Sequence, residues 1–308
     1  MNLIAIYAPL IGLVLLGLIL GRYLSKVVAT RLGQFLFWVG VPISIVAFLR
    51  QADLSGQIWI APAVAWIAII LGVAFAGAGI YFRQLLKKDA APWRQPTQGS
   101  FILAAMVGNT GYLGYPITLA IAGTQYFGFA LFYDLLGTTL GAYGVGVALA
   151  ARFGGSVHNY RELAQAILIN PSLWSFGFGF AFRRVPLQAS AAAILQGLAW
   201  TMVALSLVLI GMRLSQLHSW HSLPRASVSL AIKMLLVPLI LGSSLSLLGI
   251  NGATRLVLVL QTAMPPAFAT LVIAEAYDLD RDLAVTALAV GTIGILFLLP
   301  IWIYLFGN

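Results

Sequence analysis

Apolar segments long enough to cross a bilayer recur along this chain, with only short charged gaps between them, and no other feature limits its fold as tightly. A membrane-crossing helix needs roughly 20 mostly apolar residues. Ten segments meet that length: 3–21, 33–49, 59–82, 99–123, 128–151, 164–182, 191–212, 227–249, 254–276 and 283–306. The gaps, such as 83–98, leave no room for a separate soluble domain. Hydrocarbon offers no hydrogen bonds, so each segment has to satisfy its own backbone, and the expected class is an all-α membrane protein. Composition agrees, with 61% hydrophobic and 8% charged residues, where a soluble domain carries about 25% charged. Membrane lipid is the expected surrounding partner, in a plasma or inner membrane. Residues 1–20 lack a basic leading region and are followed by further spans, so they read as the first crossing helix and not as a signal peptide.

Several other classes lack the residues they would need. The chain holds 17 Lys and Arg against 8 Asp and Glu, but they are scattered between apolar segments instead of gathered on a face, which argues against nucleic acid. Cysteine is absent, so there is no disulfide framework, thiol nucleophile or thiolate metal site. His158, His218 and His221 all fall between spans without metal-ligand spacing, and no metal or cofactor is expected. No nucleophile elbow or phosphate loop occurs, so no catalytic residue is assigned and an enzyme is not expected.

Positively charged loops are retained in the cytoplasm. The loops on one side carry twelve Lys and Arg residues (22, 26, 31, 83, 87, 88, 94, 152, 161, 213, 225 and 281). The other side carries four, at 50, 183, 184 and 255, so both termini are expected outside the cytoplasm. The chain divides into a first five-helix repeat, 1–151, a cytoplasmic linker, 152–163, and a second five-helix repeat, 164–308. An odd number of spans per half turns the second half over, the 5+5 inverted-repeat plan of many secondary transporters.

The helix breakers support that plan. Residues 108–116 of the fourth span read GNTGYLGYP, and 263–270 of the ninth read AMPPAFAT. Proline removes a backbone donor and glycine weakens helix, so Gly108, Gly111, Gly114 and Pro116 in one span and Pro265 and Pro266 in the other are expected to break them. Gly108 lies 9 residues into its span and Pro265 lies 11 into its own. Unwound backbone persists inside a bilayer only where protein or a polar cavity surrounds it, so two matched breaks point to a binding site. Half-helix N-termini favour an anionic group such as a carboxylate, and Asn109 and Thr110 add side-chain donors there. Close packing or a simple kink is the competing explanation for such breakers.

Ionisable residues inside spans are functional candidates, since each costs about 2.5–3.5 kcal/mol on insertion scales. Two stand out, Asp134 and Lys233. Asp134 has two readings, a proton or cation site and a structural partner for the fourth-span break. Lys233, two turns from the cytoplasmic end of span eight, also has two readings, attraction of an anion into the pathway and, the favoured one, snorkelling to the interface. Gln261 precedes the second break by one helical turn, a spacing that would let it face the same cavity and makes it a candidate substrate-binding residue. Glu275 and the aromatics Trp59, Trp93, Trp220, Trp302 and Tyr304 read as interfacial residues.

At these motifs the chain resembles the auxin efflux carrier family, which includes plant auxin exporters and bacterial organic-acid permeases. The resemblance rests on Asn109-Thr110 followed by Gly114-Tyr115-Pro116, on Asn170-Pro171, and on LQTAMPPAFATLVIAEAY at 260–277. It implies ten helices in two inverted repeats, with helices four and nine crossing at their breaks. It also implies that Asn109 holds a substrate carboxylate, that the Pro265-Pro266 break supplies backbone donors opposite, and that Ser44 and the surroundings of Asp134 complete the pocket. A homodimer is an assembly the resemblance allows. The plant proteins differ in having proline at the position of Gly108, glutamine at that of Pro266, and a long loop in place of 152–163. The expected activity is movement of a small organic anion by alternating access, in the direction of efflux. The alternatives are proton- or sodium-coupled transport through Asp134, and a membrane sensor that binds without transport.

Overall fold

The computed structural model describes residues 3–54, 56–86, 92–154, 169, 171–215 and 222–307. Among them every regular element is a helix. In chain order these are α1 (Leu3–Tyr23), α2 (Lys26–Phe35), α3 (Val41–Leu49), α4 (Ile60–Leu86), α5 (Gln95–Met106), α6 (Tyr115–Ala122), α7 (Phe127–Phe132) and α8 (Val147–Gly154). They continue with α9 (Pro171–Phe182), α10 (Ala189–Ser215), α11 (Leu223–Ala231), α12 (Val237–Leu247), α13 (Gly252–Ala263), α14 (Phe268–Ala276) and α15 (Arg281–Phe306).

Six stretches are long and apolar enough to cross a membrane: Lys26–Leu49, Ile60–Leu86, Thr124–Gly154, Ala189–Ser215, Leu223–Leu247 and Arg281–Phe306. Of the other expected spans, the first is α1, and the described part of the sixth is α9; its residues 164–168 and 170 lie outside the described residues. The fourth and ninth are broken into α5 with α6 and α13 with α14, pieces of 12, 8, 12 and 9 residues, each too short to cross alone. Lys26 and Arg31, expected in a loop, instead lie on exposed positions of α2, because their aliphatic stems continue the helix that Ser25 opens.

Three helices contain a wide turn immediately before a proline. These are Leu36–Gly40 ahead of Pro42, Thr110–Gly114 ahead of Pro116, and Ile232–Leu236 ahead of Pro238. Proline has no amide to return to the carbonyl four residues back, and its ring crowds that carbonyl, so the turn opens by one residue. Thr124–Gly154 contains two further wide turns, Tyr133–Thr139 and Ala142–Gly146, in a stretch rich in glycine.

The helices pack as two units, each drawing on sequence from both sides of the expected linker. The first comprises Met1–Ile58, Gly111–Leu131 and Leu168–His218. Within it α1 lies so close along α10 that a Cβ on Gly17 would collide with the Val208 carbonyl, and one on Gly211 with that of Val14. Lipid supplies no hydrophobic drive for helices to associate, and small residues that let backbones approach are what makes such a pair tight. Gly211→Leu is therefore expected to destabilise the protein by about 1–3 kcal/mol, read as a melting midpoint several degrees lower in detergent. The helix ends of this unit are tied by two arginines. Arg50 donates to Phe182 O at 2.6 Å and Val185 O at 2.8 Å, and Arg183 returns a bond to Ala52 O at 2.8 Å. Both satisfy carbonyls near helix C-termini, where cations are favoured.

The second unit comprises Trp59–Thr110, Phe132–Ile167 and Ser219–Asn308. Asp280 caps α15, accepting from Leu283 N at 3.0 Å, and its other carboxylate oxygen accepts from Thr97 Oγ1 at 2.8 Å. Ser100 Oγ donates to Asp280 O, also at 2.8 Å, so the start of α5 is fixed to the start of α15. Glu275 is exposed and pairs with Arg281 at 2.6 Å, as an interfacial residue can. Trp302 departs from expectation. It is 2% exposed and stacks on Phe306 inside the unit, because its side of α15 is the packed one, whereas Tyr304 two residues on is 80% exposed. Trp220 and the three histidines lie outside the described residues.

Candidate functional site

Helix α5 stops at Met106, and Val107 takes an extended conformation, φ −103° and ψ 119°. Gly108 and Gly111 follow, and neither favours continuing the helix. Helix α13 stops for a different reason. The residue before a proline is pushed out of the helical region, and Met264, ahead of Pro265, is extended at φ −58° and ψ 138°. Ala267 is extended as well, φ −71° and ψ 151°.

The two extended stretches belong to the second unit and pair antiparallel, Gly108 opposite Pro266. Asn109 N donates to Pro265 O at 2.7 Å and Ala267 N to Val107 O at 3.1 Å. In this register the N–H groups of the directly opposed residues take no part in the pairing. A proline at 266 therefore forfeits no ladder bond. One expectation is corrected here. The two prolines themselves offer no backbone donor, since proline has no N–H, and the Ala267 N–H that follows them is taken by Val107 O; Pro265 instead presents a carbonyl, which Asn109 N uses.

Side chains gather around this pairing. Thr110 Oγ1 donates to Asp134 Oδ1 at 2.5 Å, so Asp134, in the wide turn Tyr133–Thr139, is a hydrogen-bond partner of the first break. Gln261 is fully buried in the last turns of α13. Thr262 Oγ1 donates to Leu258 O at 2.8 Å, leaving Tyr133 OH as the donor in its 3.1 Å bond to Thr262. The Asn109 backbone is engaged, but its half-buried side-chain amide makes no hydrogen bond among the described residues.

Lys233 does not snorkel. It is 2% exposed, and its Nζ donates to Thr262 O at 2.8 Å. The wide turn Ile232–Leu236 holds it on the packed side of its span. Sequence reasoning singled out Lys233 but placed it at the interface, and it missed Tyr133 and Thr262; the proline five positions after Lys233 is the available signal of a distorted turn.

The remaining candidates belong to the first unit. Ser44, Gly111 and Pro116 line a small, partly open cleft with Tyr112, Met202 and Ser206. Ser44 Oγ donates to Gly40 O at 3.0 Å. Gly114 is buried and is not part of the cleft wall. Sequence expectation thus put in one pocket two groups of residues that belong to different units. Asn170 lies outside the described residues.

Apolar helices of bilayer length, with two helices broken inside their apolar stretch and paired through their backbones, define a multi-pass integral membrane protein of the solute-transporter class. Residues 155–303 match the family model described as membrane transport protein. The chain is 32% identical to an uncharacterized transporter of Methanothermobacter thermautotrophicus over 295 residues, 94% of each chain. A second uncharacterized transporter, from Methanocaldococcus jannaschii, is 26% identical over 305 residues, covering 94% of this chain and 96% of its own. The chain belongs to the auxin efflux carrier family.

Proposed function

We propose that this transporter moves a small organic anion, a monocarboxylate or dicarboxylate, by alternating access, and that the paired breaks of spans four and nine hold the carboxylate. The observation that carries this reading is the Asn109 side chain, half-buried and without a hydrogen-bond partner among the described residues, at the point where the breaks meet. A carboxamide N–H is a suitable donor to a carboxylate, and such charge-assisted bonds are the strong ones. Gly108 and Thr110 flank it, and Pro265, Pro266 and Gln261 form the opposing strand and turn. Asp134 serves the break through Thr110, which favours its structural role over that of a coupling site. Ser44, Gly111, Gly114 and Pro116 shape the first unit's part in the transport cycle.

The reading includes ten helices in a 5+5 inverted repeat, 1–151 and 164–308 about the 152–163 linker, with both termini outside the cytoplasm. It takes efflux as the physiological direction and a homodimer in lipid as the assembly. Purified protein in liposomes is expected to carry labelled indole-3-acetate, malate or malonate with saturable kinetics. Flux of all three at the level of protein-free liposomes would remove the organic-anion assignment, and binding without flux would make the protein a sensor.

A further inference from the structure

Lys233 alone among the described lysines and arginines is buried. A cationic side chain is expensive to keep inside an apolar span, so its retention calls for a reason. Its route to the interior is visible in the backbone. The proline at 238 leaves the Met234 carbonyl without its usual amide, the turn Ile232–Leu236 widens, and Lys233 packs inward from that turn. Its Nζ stops 2.8 Å from the Thr262 carbonyl, in the last turn of α13. The final carbonyls of a helix have no intrahelical partner and form the negative end of its dipole. The same amine lies against the first break as well. A Cβ on Gly108 would stand 3.2 Å from Lys233 Cε, 3.3 Å from Nζ and 3.2 Å from the Met264 carbonyl.

Carbonyl ends of interrupted helices are where transporters in general coordinate a dissolved Na⁺ or a proton. In this chain such an end is already occupied by the Lys233 amine, which is covalently attached to the protein. We propose that Lys233 is a tethered counter-cation: its ammonium fills the carbonyl end of α13 in place of a dissolved metal cation, so that the carrier loads its anion without Na⁺ or K⁺. The loading part of this inference rests on the organic-anion reading above; the occupancy part does not. The ammonium also brings positive charge to the meeting point of the breaks, which complements the neutral donor of Asn109 in selecting an anion.

The test begins with ions alone. The melting midpoint of the purified protein is measured in NaCl, KCl and N-methylglucamine chloride at equal ionic strength. The unaltered protein is expected to melt at the same temperature in all three. Lys233→Ala leaves carbonyls facing a space the size of the lost side chain, and Na⁺ should raise its midpoint by about 3 °C or more over N-methylglucamine. An unaltered protein that requires Na⁺ or K⁺, or a folded Lys233→Ala protein indifferent to Na⁺, overturns the proposal. Should Lys233→Ala fail to fold, Lys233→Met decides, since it fills similar space without charge. It should ignore Na⁺ and load labelled malate at least about tenfold less well; malate loading at the unaltered level overturns the tether. Failure of the unaltered protein to load any carboxylate defeats the organic-anion reading and leaves the Na⁺ comparison standing.

Discussion

Asn109→Ala is expected to weaken organic-anion binding by about 10- to 150-fold while leaving the protein folded. The factor follows from removing one hydrogen bond to a charged group, about 1.5–3 kcal/mol. Folding should survive because Asn109 contributes to the structure through its backbone. Its N–H, bonded to Pro265 O at 2.7 Å, is untouched by the substitution. The side chain that disappears has no partner among the described residues, so no buried group is left unsatisfied. Calorimetric titration of the best-transported carboxylate, with a melting curve as control, separates the two effects. Unchanged affinity in a folded variant would take Asn109 out of the site, and a large drop in melting temperature would recast it as structural. Asn109→Asp makes the complementary point, since a carboxylate in that position repels the proposed ligand and should bind it more weakly still.

Much of this architecture was readable because bilayer length and helix breakers are local properties of sequence. Nine of the expected spans coincide with described helices or pairs of half-helices, and the two broken ones are interrupted at Gly108 and at Pro265-Pro266, whereas Gly111, Gly114 and Pro116 lie in a wide helical turn and the start of α6. Two things were not readable, for different reasons. The first is the partner of each break. Gly108 and Pro266 are 158 positions apart, and nothing in either segment states that their backbones pair or which N–H groups the pairing consumes. Without the register, the sequence does not say that the Asn109 and Ala267 N–H groups are taken by carbonyls of the opposing break. The second is the direction of a side chain on a distorted turn. Regular helical periodicity assigns Lys233 to a face, but the wide turn before Pro238 shifts the phase, and an expected interfacial lysine becomes a buried one. The proline at that spacing recurs at Pro42 and Pro116 and is the signal to use in similar chains. Ser44 was grouped with Asn109 through family resemblance, which does not report the packing unit each residue belongs to.

Replacing Gly108 by leucine should be the most damaging single change at the breaks, costing about 3–9 kcal/mol and most of the folded protein. A first carbon added at this position already stands 3.2 Å from the Met264 carbonyl and from Lys233 Cε. Alanine at 108 therefore asks only for a shift of a few tenths of an ångström, and the lysine stem can supply part of it. Leucine adds three more carbons to a buried position whose nearest fixed neighbour is backbone of the opposing break. Overpacking of this kind costs about 1–3 kcal/mol. If the strands separate to relieve it, Asn109 N loses Pro265 O and Ala267 N loses Val107 O. Each buried donor left without a partner adds roughly 1–3 kcal/mol. Against a total stability of about 5–15 kcal/mol such a sum is severe. Parallel measurement of melting midpoint and monodisperse yield for Gly108→Ala and Gly108→Leu tests the argument through its ordering, a small loss followed by a large one. Equal, mild effects of both substitutions would mean that the breaks are held apart by something other than the Gly108 and Pro266 contact, and that the backbone pairing is not what sets the geometry around Asn109.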